Sequence, residues 1–170
     1  MASEAIVGVD LGGTKVRVGK VRGSEVERRH GRRIRAQEDE ASVLGQIFAA
    51  VDEVFDGDVA GIGCAVPSVV DVERGIVYAV ENIPSWRQVH LKDELERRFG
   101  VPALVNNDAK AFVLGELWFG KARGYRHVVG LTLGTGLGGG VVIDGRLYSG
   151  SNCGAGEACR LCGRSSSRWP

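Results

Sequence analysis

Two copies of one glycine-rich segment constrain the fold of this chain more than any other feature. The stretch IVGVDLGGT begins at Ile6, and VVGLTLGTG begins at Val128. In both copies a β-branched run typical of a buried strand leads directly into a glycine-containing turn. A separation of about 120 residues is too long for a solenoid repeat, so it predicts a duplicated domain in which each copy opens with a glycine-tipped hairpin.

The second copy also contains the spacing Gly134-x-Gly136-x-x-Gly139. This spacing indicates a dinucleotide-binding fold only where the glycines follow a strand and open a helix, because the pyrophosphate sits on the helix N-terminus. Here the glycines are followed by the β-branched run VVI and the turn signal Asp144-Gly145. A second strand and a hairpin are therefore predicted, which disfavours a dinucleotide-dependent oxidoreductase.

Glycine at a hairpin tip lets backbone N–H groups approach an anion and form a concave nest suited to phosphates. Asp10 ends the first strand, where a magnesium ion bridging such phosphates needs an oxygen ligand. The alternative is that both segments are merely tight hairpins. Two matched hairpins, the first with an acid beside its tip, favour phosphate binding.

The remaining elements follow in a readable order. After the first strand, KVRVGKV alternates as a half-buried strand, and VERRHGRRIR is predicted to be a charged edge strand. Residues 39–55 carry a helical apolar face, VAGIGCAV is a buried strand, and a helix from Leu91 to Phe99 ends at Gly100. A short strand then runs into a helix, with Asn-Asn-Asp at the junction. This order predicts an α/β fold.

Composition and charge indicate which classes of partner the chain is expected to lack. The 170 residues carry a formal net charge of +1, which gives no reason to expect a nucleic acid or a membrane as partner. No apolar run approaches the roughly 20 residues of a membrane span, and the N-terminus lacks the pattern of a signal peptide. A cytoplasmic protein is expected. Cys64, in an apolar strand, is predicted to be a small buried residue.

Five segments together resemble the ROK family of bacterial hexose kinases and repressors. They are GVDLGGTK, TLGTGLGGG, NNDAKAFVLGE, the Asn82-x-x-x-Trp86 segment and Ala155-Gly156-Glu157. The resemblance, which covers about Ile6 to Glu157, implies the actin-like (ribonuclease H-like) ATPase fold. It implies a complete first domain over residues 1–125, the start of a second domain over 126–157, and a divergent tail over 158–170 that is predicted to be disordered.

The resemblance implies ATP- and magnesium-dependent phosphorylation of a hexose, either glucose or an N-acetylhexosamine. Asp108 would be the general base; on position alone it is also a helix N-cap. Sugar hydroxyls would be bound by Asn82, Asn107, Asp108 and Glu157. Magnesium would be held by Asp10 through the phosphates. The ATP site would comprise Asp10, Gly12, Gly13, Thr14, Lys15, Gly134, Thr135, Gly136 and Gly138. The alternative is a non-catalytic sugar or nucleotide sensor, or an inactive remnant.

Departures from the family pattern add further expectations. Pro67-Ser68 replaces the family's Pro-Gly, a change expected to alter the geometry of a sugar loop. After Glu157 the family's zinc segment is replaced by ACRLCGRSSSRWP, where Cys159, Cys162 and Cys153 fall short of a four-ligand site, so zinc is not expected. The first phosphate motif starts within ten residues of Met1, which leaves no room for the DNA-binding domain of the family's repressors.

Only about 25 residues follow Gly145, too few to bury a core of their own. We therefore expect the 170-residue chain alone not to be a competent kinase. A homo-oligomer is compatible with the sequence.

Overall fold

The computed structural model describes residues 4–134, 136–151 and 153–156. The chain divides into two compact units, Met1–Asp108 and Ala109–Pro170. The domain boundary predicted at residue 125 stays a prediction.

The first unit is an α/β layer structure built on a five-stranded sheet. Its elements are β1 (Ala5–Leu11), β2 (Lys15–Arg22), β3 (Glu25–Arg33), α1 (Glu40–Asp52), β4 (Val59–Val66), β5 (Val70–Asp71), β6 (Ile76–Val77), α2 (Leu91–Phe99) and β7 (Ala103–Asn107). The sheet order is β3-β2-β1-β4-β7. The first three strands are antiparallel, whereas β4 is parallel to both β1 and β7. The predicted element order is confirmed, with β3 at the sheet edge; the short β5–β6 pair carries no clear sequence signal.

Local sequence accounts for the helix ends. Asp39 is the N-cap of α1, and its carboxylate accepts a hydrogen bond from the Ser42 N–H over 2.9 Å. Backbone and hydroxyl donors from Ser42 lower the pKa of Asp39. Helix α2 ends at Gly100, whose φ of 69° is the left-handed conformation that glycine adopts without strain.

A balanced charge cluster joins the β2–β3 hairpin to the loop before β4. The Lys20 side chain is nearly buried, and its Nζ lies 2.7 Å from Asp56, 2.5 Å from Asp58 and 3.4 Å from Glu27. Hydrogen bonds to Asp56 and then Asp58 raise the pKa of Lys20. Two arginines complete the cluster, Arg22 with Glu27 and Asp58, and Arg28 with Asp56. These pairs compensate the desolvation of the Lys20 ammonium group.

The second unit begins with the body of α3 (Asp108–Trp118) and contains β8 (Val128–Leu133), β9 (Leu137–Ile143) and β10 (Arg146–Tyr148). These strands form an antiparallel sheet of order β10-β9-β8. The β9–β10 turn places Asp144 at φ 51° and Gly145 at φ 77°, the two positive values that the Asp-Gly signal predicts. The glycine-rich segment thus joins two strands, as predicted.

Glycines allow α3 to pack closely on this sheet. A Cβ atom on Gly138 would lie 2.7 Å from the Ala109 Cβ, and one on Gly140 would lie 3.0 Å from a Val113 methyl. A Cβ atom on Gly130 would likewise collide with a Val113 methyl group. Larger residues would push the helix away from the strands.

In the part of the chain that the structure describes, no helix has the length and apolar character to cross a bilayer.

Candidate functional site

The predicted site residues of the first unit meet at one edge of its sheet. Strands β1, β4 and β7 are parallel, with Asp10 paired to Ala65 and Ala65 paired to Asn106. Their carboxyl ends therefore lie side by side, which is where open α/β sheets bind ligands. The β1–β2 hairpin, the Pro67-Ser68 turn and Asn107-Asp108 all follow this edge.

Two backbone hydrogen bonds fix the tip of the β1–β2 hairpin. The Gly12 N–H donates to the Lys15 carbonyl over 2.8 Å, and the Thr14 carbonyl accepts from the Ile34 N–H over 3.1 Å. The N–H groups of Gly13 and Thr14 donate to no described residue. Two backbone N–H donors at a turn that is fixed by neighbouring hydrogen bonds can bind a phosphate oxygen.

Asp10 presents an exposed carboxylate at this edge. Its Oδ2 lies 3.3 Å from Nη1 of Arg17, and both side chains are largely exposed, so this pair contributes little to stability. Among the described residues no group of three or more His, Cys, Asp or Glu side chains converges on a metal position. A single carboxylate nevertheless fits magnesium, which in nucleotide sites takes one or two carboxylates with phosphates and water.

Asn107 is held by a residue that the sequence did not mark as part of the site. The Asn107 Nδ2 donates to the Ser68 carbonyl over 3.2 Å, and the Asn107 N–H donates to Oδ1 of Asn106 over 2.8 Å. Ser68 is buried, and its hydroxyl donates to the Ala79 carbonyl over 2.8 Å. The departure from the family's Pro-Gly was the only signal for Ser68. Asp108 is exposed at the first position of α3.

Asn82 lies against the β1–β2 hairpin. A Cβ atom on Gly13 would lie 2.7 Å from both Cβ and Nδ2 of Asn82, so only glycine fits at position 13. Trp86, the other named residue of the Asn82-x-x-x-Trp86 segment, is only 1% exposed and belongs to the hydrophobic core. Its indole N–H and the Ser85 hydroxyl are buried without a hydrogen-bond partner among the described residues.

The β8–β9 hairpin of the second unit divides its glycines into two groups. The Gly134 N–H donates to the Gly136 carbonyl over 2.9 Å, and a Cβ atom on either residue would meet none of the described residues within 4 Å. Gly138 has a packing function against α3, as described above. The tip glycines are therefore the ones whose backbone is open to a ligand, and Thr135 between them lies outside the described residues.

Lys110, in the first turn of α3, is buried, and its Nζ donates to the Cys153 carbonyl. The chain then passes Gly156, whose α-carbon lies against the backbone of Gly139 and Gly140 and leaves no room for a side chain. The Cys64 thiol is buried, as predicted, and burial raises its pKa to about 12. Glu157, Cys159, Cys162 and the tail lie outside the described residues.

A family model decides what kind of protein carries these features. The model described as the ROK family matches residues 6–160. The chain belongs to the ROK family. Solved ROK structures share its fold, that of the actin-like ATPases and sugar kinases. They include a ROK family glucokinase from Streptomyces griseus in complex with glucose and AMPPNP, at a TM-score of 0.81 and 37% identity, with 90% of this chain and 49% of that chain covered.

Curated relatives of this ROK chain include sugar kinases. A glucokinase of Thermotoga maritima is 44% identical over 147 residues, which are 85% of this chain and 46% of the relative. An N-acetyl-D-glucosamine kinase of Vibrio cholerae is 35% identical over 153 residues, which are 88% of this chain and 50% of the relative. The chain spans about half the length of the curated relatives it matches.

Proposed function

We propose that this ROK chain carries the sugar-binding and first phosphate-binding parts of an ATP-dependent hexose kinase. The observation that carries the proposal is the common edge of β1, β4 and β7. It gathers an acid, a hairpin with two N–H donors and the Asn107-Asp108 pair. Glucose and N-acetylglucosamine are the candidate acceptors because the relatives are glucokinases and N-acetylglucosamine kinases.

The chemistry assigned to the chain is positioning and proton transfer. Asp108 accepts the proton of the attacking sugar hydroxyl as the oxygen bonds to the γ-phosphorus, and ADP departs from the opposite side. Asn107, fixed by Ser68, and Glu157 hold neighbouring hydroxyls. A hydroxyl held in line with the phosphorus makes the reaction effectively unimolecular.

The phosphates are assigned to the two glycine hairpins. Gly12, Gly13, Thr14 and Lys15 form the first, and Gly134, Thr135 and Gly136 the second. Gly138 packs against α3 and so holds the second hairpin close to that helix. Asp10 would hold magnesium, which when bound neutralises charge on the transferring phosphoryl group.

The organisation of the whole protein is part of the proposal. Residues 1–125 would be the first actin-like domain and 126–157 the start of the second, in a cytoplasmic protein that acts on small molecules. A homo-oligomer is compatible with it.

A second candidate is a sugar or nucleotide sensor without catalysis, or an inactive remnant. The observation that favours it is the coverage of only about half of the relatives' length. ATP consumption with magnesium, measured against a panel of hexoses with a sugar-free blank, separates the two. The assay uses the 170-residue chain and any longer product found when the encoding DNA is read past codon 157 in all frames.

Sugar-dependent turnover of about 1 s⁻¹ or faster, the ordinary enzyme range, in either product would establish the kinase. Turnover by the 170-residue chain itself would overturn the expectation that it is not competent alone. Binding of sugar or ATP without turnover in both products would favour the sensor.

A further inference from the structure

The loop that carries Asn82 runs between Val77 and Val89, and hydrogen bonds fix it both at its ends and within the loop. Val77 and Val89 exchange two backbone hydrogen bonds of 2.8 Å each. Within the loop, the Ile83 N–H donates to the Val80 carbonyl over 3.0 Å, and both side chains are buried. Asn82 therefore lies in a turn that is fixed by hydrogen bonds and buried side chains.

The Asn82 side chain is exposed and makes no hydrogen bond to any described residue. It nevertheless lies close to Gly13, where an added Cβ atom would come within 2.7 Å of its Nδ2, and Gly13 is one of the two hairpin residues whose N–H groups have no described acceptor. Three donors, two from the backbone and one from a side-chain amide, thus lie together at the first hairpin. An amide can donate to a phosphate oxygen without adding charge of its own.

We propose that the Asn82 side-chain amide binds a terminal phosphate of the nucleotide at the β1–β2 hairpin. This inference rests on the proposed kinase function and replaces the sugar-side role that the sequence predicts for Asn82. The two roles differ in what they require of the side chain. A sugar hydroxyl can donate to a carboxylate as well as to an amide oxygen, whereas a phosphate is repelled by a carboxylate.

Nuclear magnetic resonance on the ¹⁵N-labelled 170-residue chain tests the contact directly. Glucose, magnesium-ATP and inorganic tripolyphosphate are titrated separately, with a magnesium-only blank. The backbone amides of Gly13 and Thr14 and the side-chain amide of Asn82 are followed together. We expect magnesium-ATP and tripolyphosphate to shift all three, and glucose to leave Asn82 unchanged.

Variants then measure the contribution of the contact. Asn82→Ala removes the donor and should weaken ATP binding by about three- to tenfold, as for the loss of one ordinary hydrogen bond. Asn82→Asp has the same shape but is charged, and should weaken it by more than about tenfold while sugar affinity stays within about twofold. Glu81→Gln, the matched control, alters the charge of the exposed neighbouring residue by one unit and should have little effect.

The outcomes separate this inference from the proposed function. Shifts at Gly13 and Thr14 without any at Asn82, or equal ATP affinity in Asn82→Asp and the wild type, would overturn the inference alone. A response of Asn82 to glucose only would restore the sugar-side role. If no ligand perturbs any resonance, the proposed function fails, and the role of Asn82 fails with it.

Discussion

The side-chain amide of Asn107 donates to the backbone carbonyl of Ser68 over 3.2 Å, and the Ser68 hydroxyl donates to the carbonyl of Ala79 over 2.8 Å. One serine thus links the end of β7 to the loop that carries Asn82. Glycine, the family's residue at this position, has no hydroxyl with which to hold that loop.

Ser68→Ala should weaken sugar binding several-fold and leave ATP binding nearly unchanged, because the turn that orients Asn107 loses its anchor at Ala79. The loss of one buried hydrogen bond should also lower the free energy of unfolding by about 1 kcal/mol. Calorimetric titration with each ligand measures both affinities. Ser68→Thr retains the hydroxyl and should restore sugar binding; unchanged sugar affinity in Ser68→Ala would show that Ser68 serves stability alone.

Asp108→Asn should lower turnover by about 10² or more in protein that shows sugar-dependent activity, since general-base catalysis contributes on that scale. Asparagine retains the polar start of α3, so folding and sugar binding should persist. Steady-state kinetics and sugar titration supply the measurement. Asp93→Asn, in the first turn of α2, is the matched control. Near-normal turnover in Asp108→Asn would exclude it as the base.

Gly134→Val and Gly138→Val should differ in what they lose: the first should lose ATP binding and the second should lose stability. A Cβ atom at Gly134 would meet none of the described residues within 4 Å, and a side chain there should block the approach of phosphate, so ATP binding should fall while thermal stability is retained. A side chain at Gly138 collides with Ala109 and should lower the melting temperature by several degrees or prevent folding. Thermal unfolding and ATP titration distinguish the two. Full ATP affinity in the Gly134 variant would mean that this hairpin tip serves the fold only.

The Lys20 cluster should make the free energy of unfolding depend on pH in both the acidic and the alkaline range. The pKa of Glu27 is lowered by Arg22, so its contribution is present above its ordinary value of 4.5 and is lost as the pH falls through the lowered pKa. The pKa of Lys20 is raised, so its contribution is complete below 10.5 and is lost as the pH rises through the raised pKa.

Lys20→Met keeps the aliphatic stem but removes the partner of Asp56 and Asp58. It should lower the melting temperature at pH 7 by several degrees and flatten its decline at alkaline pH. Thermal unfolding between pH 3 and 11 gives this profile, with the exposed Lys121→Met as control. Parallel profiles for the Lys20 variant and the wild type would show that the cluster contributes nothing.

The apolar face of β8 should make the 170-residue chain self-associate. Val129, Leu131 and Leu133 alternate along one side of the strand and are all more than half exposed. An exposed apolar patch of this kind favours association. Light scattering after size exclusion should show larger species at higher concentration, and the double variant Leu131→Thr/Leu133→Thr should reduce them. Leu104→Thr, which removes one exposed leucine from β7, should not. A monomer at all concentrations would contradict the prediction.

Local sequence signals determined most of the first unit and the β9–β10 turn of the second. The Asp39 cap, the helix end at Gly100, the alternation in β2 and the Asp144-Gly145 turn each act within a few residues, so the chain itself specifies them. The β-branched run of β1 predicts a buried strand, whereas only one side of it is buried, formed by Ala5, Val7, Val9 and Leu11. The repeated motif, together with the resemblance that its residues carry, was sufficient for the family and the fold.

Contacts between distant segments decided the rest. Val7 and Val129 occupy equivalent positions in the two motifs, yet the first is fully buried and the second is 70% exposed, because burial depends on what packs against a strand. Gly134 and Gly138 are both glycines of one motif, but only the position of α3 makes Gly138 a packing residue. The contacts of Asn82 with Gly13 and of Ser68 with Asn107 likewise join residues far apart in sequence, and only the tertiary structure brings them together.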